Sequence, residues 1–590
     1  MKIMKKNMFG WCGRILKIDL SNHAYNILSP DLAIYTKYIG GKGLAGYFLR
    51  EKITLEWQNP DMPLLFFTGP LVNTISPTSG RMAIVSRSPL TGTIGDTSVG
   101  GSFGTNLKRA GWDGIIITGK SKGKCGIEIN NGHVDFQDAN LFNGKRVNEC
   151  HSILKDKGST AIIGPAAENN VLFSCIVIDN HFFTGRNGLG LLFSAKNLKY
   201  ITVRGNQKTN VYDKLALKTA REDIFRLTSA SPVLMGELGI SHYGTGALYD
   251  LMDARRMMPT ENFRKTHFPH AKEMNAYAFE QKYNPRMTGC RGCHVQCKKL
   301  RQDGNSLPEF ETMSHFSALI DNKDIDTVVE ANILCNNLGM DTISTAATIA
   351  CYLEITGKKY NPDEILTLIE QIGSAKGIGK ELGQGSYRYA VSQGKKESAM
   401  TIKNMELPGY DPRGSYGMAL AYATSTRGGC HLRAYPISHE ILRKPVVTDR
   451  FTFNGKARII KIAEDMNAVI DSLTACKFLF FAVTLEEYAK AYSAVTGLES
   501  SAQDLLKIGE RIYYQERIMN SLNGFSYLDD DLPERFFKDK GTDGNNIEIP
   551  ALSKQGFLKT LHNYYKIRGL DEKGQPLKEK TEELDLTWKN

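Results

Sequence analysis

Residues 76–104 read SPTSGRMAIVSRSPLTGTIGDTSVGGSFG, and their pattern sets the character of the first third of the chain. The run Met82–Arg87 is short, apolar and closed by a charge, and Gly, Ser and Thr surround it. An apolar run bounded by turn residues reads as a strand. Glycine lets a backbone approach a ligand closely, and backbone N–H groups beside an arginine suit a phosphate or diphosphate. Arg81 and Arg87 flank this strand, so the stretch reads either as a pair of surface turns or as a phosphate cradle. Gly185-Arg186-Asn187-Gly188 is a second such element. Two of them in one β region would suit a ligand with several phosphates.

Runs of the same kind lie on both sides. RILKIDL and AYNIL alternate around the turn SNH and predict a hairpin, and GIEINNGHVDF places Asn131-Gly132 between two alternating runs. LLFFTG, GIIITG, TAIIGP and YITVRG complete a β-rich region ending near Arg204-Gly205. Beyond it the period becomes helical. Val328, Val329, Asn332, Ile333 and Asn336 follow helical spacing, with Gly339 as the stop. A second helix is expected from near Ser344 to just before Gly357, and DEILTLIEQI, GMALAYATS and ARIIKIAEDMNAVIDSL read as further helices. The fold class expected is α+β, a β-rich N-terminal domain followed by two mainly α-helical domains. The boundaries expected are 1–207, 208–410 and 411–590.

At 590 residues the chain exceeds one simple core, which supports several domains. The net charge is +11, but the basic residues are scattered rather than blocked. That argues against a nucleic-acid partner and suits an acidic protein partner. Most of the eleven cysteines sit singly in apolar segments, as Cys175 and Cys351 do, like small buried hydrophobes in a reducing compartment. The N-terminal stretch is basic without an unbroken apolar core, and no segment is long and apolar enough to span a membrane. A cytoplasmic protein with no membrane contact is expected. The charged stretch that closes the chain is expected on the surface.

Cys290, Cys293 and Cys297 in GCRGCHVQCKKL have the spacing C-x2-C-x3-C, which can grip three corners of a metal site. Zinc with three cysteines and His294 is one reading. His294 is wedged between two of the ligands on a tight loop, however, and iron–sulfur clusters prefer thiolates. Cys476 in DSLTACKF is the candidate fourth thiolate. Glu311 in PEFET and His431 in CHLRAY are the acid–base candidates, although a lone glutamate is usually a solvated charge and a lone histidine structural. Gly41-Lys-Gly43-Leu-Ala-Gly46 matches G-x-G-x-x-G, but the segment before it looks helical. It is therefore read as a tight packing turn, not a dinucleotide site.

Taken together these segments resemble the aldehyde:ferredoxin oxidoreductase family of tungsten enzymes, over nearly the whole chain. The resemblance is carried in order by GWCGRILKIDLS, YIGGKGLAGYFL, GPLVNTISPTSGRMAIVSRSPLTG, GGSFGTNLKRAGWDGIIITGKS, IGPAAENNVLFSCIVIDN and GRNGLGLLFSAKNLKYITVRG. It continues through CRGCHVQCKK, NNLGMDTIST, YATSTRGGCHLRAY, DSLTACKF and YYKIRGLDEKGQP. It implies a tungsten or molybdenum ion held by two pterins, with no protein side chain on that metal. It implies a 4Fe-4S cluster on Cys290, Cys293, Cys297 and Cys476. Arg81 and the turn at Ser98 and Gly100 would meet one pterin phosphate, and Arg186 and Asn187 the other pterin. Main-chain carbonyls of Ser98 and Asn187 would hold a bridging Mg2+.

The family's repeated pattern D-x-x-G-L-(C/D) falls here on Asn336-Asn-Leu-Gly339-Met340-Asp341 and on Asp471-Ser-Leu-Thr474-Ala475-Cys476, followed by Lys477. Arg427 and Arg433 match further positions near the cofactor. Asn336 stands where the pattern has Asp. Thr474 replaces a Gly, so the backbone there is expected to pack differently. Ser98 stands at a common Asn. Some members carry E-x-x-H for an interfacial metal. The match here is Glu330-Ala-Asn-Ile333, and isoleucine cannot ligate, which puts the homodimer in question. The activity implied is oxidation of an aldehyde to a carboxylic acid. Glu311 would orient or deprotonate water, and His431 would donate a hydrogen bond to the carbonyl oxygen. The partner implied is ferredoxin or another iron–sulfur carrier, with Lys298 and Lys299 as part of its docking face. The alternative is a subunit of a larger low-potential reductase complex in the same family.

Overall fold

The computed structural model describes residues 8–359, 361–444 and 446–586. Residues 1–7, which open the basic N-terminal stretch, and the last four of the charged C-terminal stretch lie outside them. The N-terminal region holds twelve strands in two six-stranded sheets. The first contains β1 (Ile15–Asp19), β2 (Ala24–Leu28), β3 (Leu64–Phe67), β4 (Met82–Arg87), β5 (Ile94–Val99) and β6 (Gly114–Thr118), in the order β2-β1-β6-β3-β4-β5. The second contains β7 (Cys125–Asn130), β8 (His133–Asp138), β9 (Ser159–Ile163), β10 (Ile176–Ile178), β11 (Phe182–Phe183) and β12 (Leu198–Arg204), in the order β11-β10-β9-β12-β7-β8.

Both hairpins read from the sequence are present. β1 pairs with β2 antiparallel from Ile15↔Leu28 to Asp19↔Ala24, and β7 pairs with β8 around Asn131, whose φ of 52° supplies the turn. Strands β3, β4, β9 and β10 are buried along most of their length, as their unbroken apolar runs require.

From Lys214 onward the chain is mainly helical. Helix Ile325–Leu338 starts where the Asp324 side chain accepts from the Asp326 and Thr327 amides, and it stops at left-handed Gly339. Helix Thr342–Thr356 follows at once, capped by Asp341. Helix Lys456–Leu473 packs on helices Ala502–Leu522 and Lys554–Arg568. Arg568 fixes that bundle by pairing with Glu464 at 2.6 Å and with Asp465, all three fully buried.

The two helix ends that carry the repeated pattern are pinned to different sheets. Gly339 O accepts from Cys175 N at 2.7 Å, and Asp341 N donates to Phe173 O at 3.0 Å, beside β10. Gly69 N, just after β3, donates to Thr474 Oγ1 at 3.0 Å, and Arg81 N, just before β4, to Thr474 O at 3.3 Å. Glycine makes both approaches possible. A Cβ on Gly69 would sit 2.2 Å from Leu473 O, and one on Gly164 would sit 2.3 Å from Leu338 O. The G-x-G-x-x-G element is helix Gly41–Leu49 rather than a turn, but its role is tight packing: a Cβ on Gly41 would sit 2.3 Å from Asp471 O.

Candidate active site between the sheets and the helices

A cavity of about 1190 Å³ opens between the sheets and the helical region. Of the residues expected at a site, Arg81, Ser98, Gly100, Arg186, Cys290, Cys297, Glu311, Asn336, Met340, Asp341, Arg427, His431, Arg433, Asp471, Cys476 and Lys477 line it. Asn187 and Ala475 are fully buried and absent from its wall, as is Cys293. Positions 300 and more residues apart in sequence therefore face one space.

The cysteine triplet occupies the loop of a two-stranded ribbon, Arg286–Thr288 paired antiparallel with Lys298–Leu300. Cys476 comes from the far side, two residues past the left-handed end of helix Lys456–Leu473. Cys476 and Cys290 both act electrostatically on Cys293 and Cys297, although among the described residues no group of three or more His, Cys, Asp or Glu side chains is already arranged to hold a metal ion. Burial and then Cys476 and Cys290 push Cys293 up to about 11, and burial, Glu309, Cys476 and Cys290 raise Cys297. A Cβ on Gly100 would lie 2.5 Å from Cys290 Sγ, so that position needs a glycine for the loop to close on the first sheet. Cys293, Cys297 and Cys476, whose thiols resist ionising, suit a cationic guest, because metal ligation requires thiolates and supplies the compensating charge. His294, the alternative ligand, is turned onto Phe225 at 4.4 Å between ring centres, and both its ring nitrogens are buried without a partner.

Arg81 joins the two halves of the site. Its Nε donates to Ser98 Oγ at 3.0 Å and its Nη2 to Ser98 O at 2.5 Å. Burial opposes its charge, but Cys476, Cys290, Cys297 and Asp471 together hold its pKa above the ordinary value. Ser98 itself lies in strand β5, not in a turn. Arg87 does not reach the cavity. It clamps the backbone oxygens of Thr54 and Leu55 at 3.2 and 2.8 Å, which is a structural role. Arg186 holds a φ of 88°, unusual for a long side chain, and donates to Glu406 O and to Gly429 O (3.0 Å). Asn187 O accepts from Ser88 Oγ at 2.9 Å.

Glu311 stands on helix Phe310–Phe316, which His315 anchors through Nε2 to Leu407 O at 3.1 Å. Its Oε2 accepts from Gly409 N at 2.8 Å. Burial outweighs that bond and the nearby Arg186, and pushes the carboxyl up to about 7. His431 Nε2 is 3.6 Å from Glu311 Oε1, just beyond direct hydrogen-bond distance. Burial, Arg186 and Arg427 hold His431 well below the usual histidine range, so its ring is neutral. Tyr410 packs against it at 5.4 Å. Arg186 Nε, Asn187 Oδ1, Glu311 Oε1, His431 Nδ1 and Asp471 Oδ1 are all buried without a hydrogen-bond partner. Such a concentration of unpaired polar atoms around one cavity is the mark of a bound group.

Two features escaped the sequence reading. Asp96, the acid within GTIGDTSV, pairs with Arg433 and receives Arg427 Nη1 on its carbonyl at 2.6 Å. Lys42, inside G-x-G-x-x-G, pairs with Glu516 at 2.7 Å and reaches Asp96 at 3.9 Å. An acid alone in a Gly/Ser/Thr strand was the available signal for Asp96. Of the two lysines beside the cysteine loop, Lys298 is not available to a docking partner and Lys299 is half-exposed. Lys298 is buried, pairs with Glu309 at 3.3 Å and lies over the Phe182 ring, while Lys299 donates to Ser241 O at 2.7 Å.

A large cavity floored by two sheets, roofed by helices and bordered by Cys290, Cys297, Cys476 and a buried Glu–His pair suits an oxidoreductase. Models of the aldehyde ferredoxin oxidoreductase family match residues 15–205 (N-terminal domain) and 219–586 (domains 2 and 3). The tungsten-containing aldehyde ferredoxin oxidoreductase of Pyrococcus furiosus is 36% identical over 98% of this chain and 99% of its own length. That of Thermococcus kodakarensis is 35% identical over the same shares. The chain belongs to the aldehyde ferredoxin oxidoreductase family. The solved active-site complex BamBC of benzoyl coenzyme A reductase, with 1,5-dienoyl-CoA, has the same fold, with a TM-score of 0.85 at 21% identity over 98% of both chains. Among the described residues no helix is long and apolar enough to cross a membrane.

Proposed function

We propose that this chain oxidises aldehydes to carboxylic acids at a tungsten bis-pterin centre and passes the electrons through a 4Fe-4S cluster to ferredoxin. The observation that carries the reading is one cavity with the Glu311–His431 pair and Cys290, Cys297 and Cys476 on its wall. The family membership and the full-length relatives support the cofactor. When bound, the metal–pterin group supplies the two-electron acceptor, and the cluster carries electrons away singly.

The residues present suit that guest. Arg81 and Arg186 offer guanidinium charge for phosphates. The carbonyls of Ser98 and Asn187, which accept from Arg81 Nη2 and Ser88 Oγ, would hold Mg2+. Asp471, paired with Lys477 at 2.8 Å and with Oδ1 free, can receive a pterin N–H, as can the side-chain oxygen of Asn336. Neutral His431 donates to the aldehyde oxygen and stabilises the charge that develops there. Glu311, with a proton affinity near neutrality, takes the proton from water during the hydration-level step. Tyr410, Phe310 and Tyr435 border this end, and their rings keep bulk water out. Arg291 is exposed at the tip of the cysteine loop and suits an acidic carrier. The division into 1–207, 208–410 and 411–590 is part of the same reading, and the break between the family matches after residue 205 supports its first boundary.

Protein purified without oxygen is the test material. Iron, tungsten, molybdenum and pterin are counted per chain, and an aldehyde panel is screened with ferredoxin and with an artificial acceptor. About four irons, one tungsten and turnover of at least one aldehyde are expected. Protein fully loaded with metal that turns over no aldehyde in the panel would overturn the substrate assignment.

A further inference from the structure

Cys430 lies one residue before His431 and is 1% exposed. Arg427 aims two nitrogens at its sulfur, Nε at 3.0 Å and Nη2 at 2.9 Å, and the Leu432 amide donates to it at 3.2 Å. Among the described residues Sγ donates to no acceptor. A thiol is a weak acceptor and would point a proton into this crowd of N–H groups, whereas a thiolate accepts all three. Arg427 Nη1 also donates to Asp96 O at 2.6 Å. A guanidinium has five N–H donors. With three directed at Cys430 and Asp96, one hydrogen on each terminal nitrogen remains for the cavity that Arg427 lines. Arg186, on the same wall, has Nε buried without a hydrogen-bond partner, so the wall around Arg427 is suited to a guest.

We propose that Cys430 is held as a buried thiolate and acts as a positioning residue, locking the Arg427 fork so that its two remaining N–H groups face the cofactor. The charged groups around the sulfur agree with this. Burial works to raise the thiol, but Arg427 and Arg433 from its own loop and Arg186 from the N-terminal region outweigh it and lower its pKa. Glu311, on helix Phe310–Phe316, and Tyr422, on helix Tyr416–Thr424, both feel the negative charge as a bias toward their protonated forms. Cys430 thus links the arginine at the cofactor to the proton affinity of the proposed base. The last link rests on the aldehyde-oxidising reading; the ionisation of Cys430 does not.

Infrared difference spectra in the S–H stretching region separate the two. Subtracting Cys430→Ser from the wild type is expected to reveal no lost S–H band, because this sulfur carries no proton. Arg427→Gln, which removes the fork, is expected to gain one. A band lost in Cys430→Ser, or no gain in Arg427→Gln, overturns the thiolate whatever reaction the enzyme performs. In metal-loaded Cys430→Ser the acidic limb of kcat/KM is expected to move down by roughly half a pH unit or more, because a negative charge near Glu311 is gone. A merely structural cysteine would leave that limb in place, and an unmoved limb overturns the positioning role.

Discussion

The ends of helices Ile325–Leu338 and Lys456–Leu473 are two versions of one device. Each helix stops at a left-handed residue, Gly339 (φ 75°) or Thr474 (φ 55°). Each then closes with the same long-reach bond, Met340 N to Cys335 O at 2.9 Å and Ala475 N to Ile470 O at 3.1 Å. Each next residue opens a further helical segment, Asp341 for Thr342–Thr356 and Cys476 for Lys477–Phe481. The first end rests on the second sheet and the second end on the first sheet. What differs is the chemistry carried. The first presents Asn336 and an acid, Asp341, 3.7 Å from Arg186. The second presents Asp471 and a thiol that faces the cysteine loop. One backbone solution thus serves two sites, and the side chains at two offsets decide which. Thr474 shows how strongly the backbone is imposed, because it adopts the glycine conformation instead of packing differently. Its hydroxyl, bonded to Gly69 N, helps offset the strain.

Turning the second end into the first tests this most sharply. Cys476→Asp is expected to lose most of the cluster iron and to drop turnover with a protein acceptor by several orders of magnitude, while the helices keep their circular dichroism. Normal iron content would show that Cys476 is no ligand.

The pH profile comes next. Glu311 at about 7 must be ionised to accept a proton, so kcat/KM should rise with pH through 7 and fall about tenfold per unit below it. His431, neutral across this range, should add no second limb. Asp341 raises Glu311 and Asp471 is not among the largest influences on it, so Asp341→Asn should move the limb to lower pH by more than Asp471→Asn does. Equal shifts in both variants would erase the electrostatic difference between the ends.

Asp471→Asn should instead cost stability. It leaves Lys477 without its carboxylate in a largely buried place, which costs about 3 kcal/mol when such a pair is broken. Chemical denaturation reads the difference, and a change below 1 kcal/mol would mean that solvent reaches the pair.

The smallest effects concern the left-handed stops. Gly339→Ala should cost at least the roughly 1–2 kcal/mol of a left-handed alanine, because its Cβ would also sit 2.9 Å from Gly164 N. Thr474→Gly should change stability by less than about 1 kcal/mol, because relief of strain is offset by loss of the hydroxyl bond and a looser unfolded chain. A large gain in Thr474→Gly would show that the threonine serves something other than the stop.

Much of this was legible in the chain itself. Alternation and Asn131-Gly132 gave the hairpins, the 3.6 period and Gly339 gave a helix and its end, and the C-x2-C-x3-C spacing marked a loop whose Cys290 and Cys297 reach the cavity. These are local signals, set by residues within a few positions of one another. The docking role read into Lys298 failed for the opposite reason: its packing on Phe182 and Glu309 depends on segments far away in sequence.

Order along the chain therefore determined the strands, the helix stops, the family and the candidates for the site, because propensity, spacing and motif act over short range. Only the folded arrangement decided that Cys476 meets the cysteine loop, that Asp96 and Lys42 belong to the same wall, and that Glu311 is poised near neutrality beside an uncharged His431. Those properties come from burial and from charges contributed by remote segments. Desolvation and proximity exist only once the sheets and helices have closed around a common space.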